Sequence, residues 1–78
     1  MSERQDNPDQ KLIEALAAIE HEQWVHWSRA TAADVPVAMQ QKWRRSWVKY
    51  AELPDDLKEA DRIWARKVAS LLREQKVI

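Results

Sequence analysis

Three prolines, Pro8, Pro36 and Pro54, are the strongest backbone punctuation in a chain of 78 residues that contains no glycine. Proline suits the first turn of a helix and disrupts later turns, and the residue before it is biased away from the α region. Between the prolines the chain is rich in Ala, Leu, Glu, Lys, Arg and Gln, with few β-branched runs, a composition that favours helix. The expected fold is all-α: a compact three-helix domain with helices near 8–30, 36–47 and 54–75. Residues 1–6 are expected to form a disordered tail and 7–78 a single domain.

The missing glycine also removes phosphate-cradling Gly-rich loops, Rossmann turns and glycine helix caps. With no cysteine there is no disulfide, thiolate metal site or cysteine nucleophile. The N-terminal MSERQDNPDQ has no apolar h-region, and no apolar run approaches the roughly 18 residues of a membrane span. A cytoplasmic protein without cofactor or metal is expected. A chain this short must pack densely or be completed by a partner, and five tryptophans are one means of filling a core.

Net charge is zero, with 13 bases and 13 acids, but its distribution is uneven. Residues 1–34 carry three bases against seven acids, and 51–78 carry six of each. Residues 35–50 hold Lys42, Arg44, Arg45 and Lys49 with no acid, interleaved with Trp43 and Trp47. Four bases in a neutral chain are a weak footprint for DNA or RNA, and no groove-reading helix is recognisable. The run is read instead as a helix whose Met39, Trp43 and Trp47 stack at i, i+4 and i+8, its tryptophans mainly in the core.

In the first helix Asn7 can cap, Pro8 suits the first turn, and Gln10 stands where a capping-box partner belongs. At 100° per residue Leu12, Leu16, Ile19, Trp27 and Ala30 form an apolar stripe with Ile13 and Trp24 at its edge. Glu20 and Gln23 fall inside it, whereas His21, Glu22 and Val25 point away. The chain is expected to turn between Val48 and Leu53. In the third helix Leu57, Ala60, Trp64, Val68, Leu71 and Leu72 make the corresponding stripe, with Asp61 in its midst.

HEQWVH at 21–26 has the residues of a zinc-peptidase helix but not their spacing. His21 and His26 are separated by roughly 140° of helix, so one metal cannot be reached by both. Glu20 and Asp61, acids on apolar faces, must be paired or hydrogen-bonded. A carboxylate pair could hold Mg²⁺ for phosphate-ester hydrolysis, although all-α pyrophosphatases spread several acids over two helices. The structural reading pairs each acid with a tryptophan N–H, the Tyr50 hydroxyl, Arg45 or Lys49.

Two segments, IEHEQWVHW at 19–27 and WVKYAELPDDLKEADRIWA at 47–65, resemble the ryanodine-receptor-type repeat domain, and more closely its small stand-alone relatives in bacteria and phages. The resemblance covers roughly residues 12–72. It implies a compact, helical, non-catalytic module of a kind associated with sensing nucleotide-derived ligands in phage–host conflict. The matching positions are His21, Glu22, Trp24, Tyr50, Leu53, Pro54, Lys58, Asp61 and Arg62. The Gly-Trp-x-x-Gly element usual between the family's helices is missing, and the 36–47 helix stands in its place.

Three functions follow as expectations. The first is a phage- or prophage-derived binding module, homo-oligomeric through His21, Glu22 and Val25, that holds an anionic nucleotide-type ligand at Arg44, Arg45, Lys49, Tyr50 and Arg62. Trp24, Leu53, Pro54, Lys58 and Asp61 are then structural. The second is a protein-interaction module that docks on a host or phage protein through a tryptophan-rich surface. The third is a metal-dependent nucleotide hydrolase using Glu20 and Asp61.

Overall fold

Each proline stands at a helix start in the computed structural model, which describes residues 8–77; the expected 1–6 tail and the Asn7 cap lie outside them. Helix α1 spans Pro8–Thr31, α2 Val37–Arg44 and α3 Asp55–Glu74, with single 3₁₀ turns at Ala32–Asp34 and Tyr50–Glu52. The protein is an all-α, three-helix domain, and no strand occurs among the described residues. Pro36 and Pro54 serve as the N-caps of α2 and α3, one position earlier than the first helical turn. Each lends its carbonyl to the first helical N–H groups. Pro36 accepts from Met39 and Gln40 at 2.9 and 3.0 Å, and Pro54 accepts from Leu57 and Lys58 at 3.1 and 3.0 Å.

Helix α2 stops at Arg44, short of the expected Trp47. The chain leaves the helical path there, and the Trp47 indole N–H donates to Ser28 Oγ on α1 at 2.9 Å. Trp43 packs between Trp24, edge-on at 6.1 Å, and Trp27 at 5.6 Å. The end of α3 shows how a chain without glycine closes a helix. Lys76 takes the left-handed conformation (φ 59°), its N–H bonds to Arg73 O, and the Val77 N–H reaches back to Leu72 O at 2.9 Å. This is a Schellman cap with lysine where glycine is usual.

Helices α1 and α3 run antiparallel: Asp9 pairs with Arg73 at one end of their contact and His21 meets Asp61 toward the other. Their seam corrects the expected packing. On α1 the buried side chains are Ala17, His21 and Ser28, and on α3 they are Ala65 and Ala69. The stripe of Leu12, Leu16, Ile19 and Trp27 lies roughly 140° around α1 from that seam. Ile19 and Trp27 are exposed, as are Leu57, Trp64, Val68 and Leu71 on α3. The expected stripes exist, but they are not what packs the two helices together. Leu53 is the one buried apolar side chain larger than alanine among the described residues.

Small residues permit close approach of two helices, and larger side chains would force them apart. Ala65→Leu is expected to lower stability by about 1–3 kcal/mol, measured by urea unfolding. An unchanged midpoint would show that the seam has room to spare.

Candidate functional site

Polar chemistry concentrates where α1, the 3₁₀ turn and α3 meet, and Glu14 is its centre. The Arg62 guanidinium donates to both Glu14 carboxylate oxygens, from Nε at 2.7 Å and from Nη2 at 3.2 Å. The Tyr50 hydroxyl donates to the same carboxylate at 3.0 Å. Arg62 Nη1 also donates to Asp55 at 3.0 Å and lies 3.5 Å from Glu59. One carboxylate thus joins three segments of the chain through charge-assisted bonds. The Arg62 bonds, followed by the Tyr50 hydroxyl, hold Glu14 below the usual carboxylate range despite partial burial. Burial and the bond to Glu14 push the Tyr50 phenol up to about 12. The carboxylates around Arg62 raise its pKa still further.

A second junction is built on His21. Its Nε2 lies 2.7 Å from Val48 O, and since a carbonyl only accepts, Nε2 carries the proton. Nδ1 faces the Asp61 carboxylate at 3.6 Å, and the ring stacks on Trp24 with centroids 5.9 Å apart. Burial raises the Asp61 carboxyl above its ordinary value, the His21 ring opposes this, and Glu20 adds to it. The expected partners of Asp61 were a tryptophan, Tyr50, Arg45 or Lys49. Its partner is His21, and Tyr50 serves Glu14 instead.

The residues proposed to hold an anion divide among different places. Arg62 and Tyr50 converge on Glu14, while Arg44 and Arg45 are exposed at the end of α2. Lys49 lies with Tyr50 along an open groove of about 620 Å³ between α1 and the 47–52 segment, whose walls include Glu22 and Glu52. The two acids oppose an anion there. Of the expected oligomer contacts, His21 is buried within its own chain, because the α1 register is rotated by one face from the expected one. Glu22 is exposed and Val25 half-buried, both lining the same groove. Leu53 is buried, Pro54 caps α3, and Lys58 sits 5.6 Å over the Tyr50 ring.

Glu20 and Asp61 share a shallow groove with Trp24, Trp27 and Trp64. Among the described residues no group of three or more His, Cys, Asp or Glu side chains could hold a metal ion. The importance of Glu14 was missed from the sequence. A signal was present: Glu14, Ala17, His21 and Ser28 recur at i, i+3, i+7 and i+14, a narrow seam of small and polar residues rather than an apolar one.

No family model matches the chain, no curated protein is significantly similar in sequence, and no solved structure is significantly similar in fold. The resemblance to ryanodine-receptor-type repeats therefore rests on the motif residues themselves. No helix among the described residues is long and apolar enough to cross a membrane.

Glu14, whose folded pKa is depressed below 4.5, contributes stability that is present above that value and lost as pH falls through the folded pKa. Asp61, shifted the other way, contributes in the opposite sense. Glu14→Gln is therefore expected to cost about 1–2 kcal/mol at neutral pH, kept low because a third of the side chain is in water. In chemical denaturation the gap from wild type should close in acid; a gap independent of pH would contradict the assignment. Tyr50 acts at the alkaline end, its contribution intact below pH 10 and lost as pH rises toward 12. Tyr50→Phe should remove that alkaline loss.

Proposed function

We propose that this chain is a non-catalytic protein-interaction module that binds through the apolar face of α1 and α3. The supporting observation is the mismatch between the chain's apolar content and what it buries. Trp27 and Trp64 are exposed and the other three tryptophans only half-buried, and among the described residues the fully buried apolar side chains beyond Leu53 are alanines. Contiguous apolar surface of this kind on a small domain marks an interaction site. Among the titratable side chains, Glu14, Arg62 and Tyr50 bond to one another across segments, and His21 bonds to Val48 O with Asp61 beside it, so these contacts keep the fold. They leave no nucleophile and base poised around an empty position.

The placement of Arg62 and Tyr50 on Glu14 also favours this reading over an anionic nucleotide ligand. A phosphate would have to displace a carboxylate already held by three hydrogen bonds. The His21–Asp61 pair and the Tyr-x-Glu-Leu-Pro turn, positions shared with the ryanodine-receptor-type motif, act here as the joints that dock α3.

Calorimetric titration with linear and cyclic nucleotides is expected to give no saturable heat. An anilinonaphthalene sulfonate dye should bind the dilute protein and lose that binding in Ile19→Glu. Saturable nucleotide binding that an Arg44→Glu, Arg45→Glu double variant abolishes would overturn the proposal in favour of an anion site.

A further inference from the structure

We infer that the occupant of the α1–α3 apolar face is a second copy of this chain, giving a face-to-face twofold dimer with a four-helix core. The inference rests on the interaction reading above and adds the identity of the partner. A groove lined by Glu20, Trp24, Trp27, Asp61 and Trp64 lies on this side, and helical spacing continues it through exposed Ile19 and half-buried Leu12 and Leu16 on α1 and through exposed Val68 and Leu71 on α3.

Area is the first argument. Ile19, Trp27, Trp64 and Leu71 keep 59%, 53%, 57% and 54% of their surface exposed, and Val68 and Leu57 add to them. Together these side chains leave roughly 600 Å² of apolar surface per copy in water. Two such faces pressed together remove about 1,200 Å², the lower bound for a stable specific interface. A helix pair whose internal seam is mainly alanine gains its large-residue core only when another layer covers the exposed ridge.

Charge is the second argument. A twofold interface presents the same patch to itself and must be self-complementary. This face carries both signs: the half-buried acids Glu20 and Asp61 in its groove, and Lys67 at its rim, with its ammonium 5.0 Å over the Trp64 ring. A copy of the same face can therefore offer Lys67 to Glu20, while Asp61 faces His21 of its own chain. The opposite side of the α1–α3 seam is already partly covered by the 47–52 segment through Val48 and Tyr50. On this side Trp43 of α2 meets only the Trp24–Trp27 end, which leaves Ile19, Trp64, Val68 and Leu71 open.

Sedimentation equilibrium of the whole chain over a wide concentration range tests the inference. The expected result is a reversible dimer of about twice the 9.2 kDa chain mass. Trp64→Glu and Leu71→Glu should each give a helical monomer by circular dichroism, and Arg45→Glu, outside the face, should leave the dimer intact. A dimer unmoved by both face variants would overturn the face assignment. A monomer at every concentration would overturn self-association. In that event dye binding lost in Trp64→Glu would leave the interaction reading standing with a different partner, and absence of dye binding would remove both.

Discussion

The close approach of α1 and α3 over alanine is the constraint on which the rest of this structure depends. Because Ala17, Ala65 and Ala69 meet where larger residues would stand, the backbones come near enough for polar side chains to reach across. Arg62 can then grip Glu14 with two nitrogens, and His21 can lie against Asp61 while bonding to Val48 O. A seam of leucines would separate the helices and break these contacts together. The same constraint fixes the linker, since Tyr50 and Val48 are tied to α1 through the residues that line the seam.

Polar junctions of this kind position elements more than they stabilise them. Pairing a partly buried carboxylate with a guanidinium largely offsets the desolvation of both, and the surplus is small. What they supply is register: a slip of one helical turn would leave Glu14, Arg62, His21 and Asp61 without partners. Stability must then come from apolar burial, and within one copy that burial is meagre. Fold specificity is thus internal to the chain, while much of the hydrophobic driving force is left on the surface.

The helices were legible in the sequence because prolines act locally. Pro36 and Pro54 fix the two later starts within a residue or two, and Lys76 shows only that a glycine-free chain can still close a helix. The packed faces were not legible. Periodicity locates where apolar side chains lie on a helix, and packing follows that face only when the chain has a core of its own to fill. Here it pointed to Leu12, Leu16, Ile19 and Trp27, while the seam runs through Ala17, His21 and Ser28. His21, read as outward-facing, is buried for that reason. Glu14 escaped notice because a carboxylate's partners at 50 and 62 depend on how the linker folds back, which spacing along the chain does not encode.

The central claim is that the tryptophans differ in exposure: Trp24, Trp43 and Trp47 are half-buried within the domain, whereas Trp64, and Trp27 despite its contact with Trp43, stay open on the ridge. Hydroxyl-radical footprinting resolved by residue measures this directly. At dilution Trp27 and Trp64 should oxidise fastest, with Trp24, Trp43 and Trp47 slower, and at high concentration the first two should become protected. Equal oxidation of Trp24 and Trp27 in the dilute protein would contradict the account, because α1 would then be packing through its apolar stripe after all.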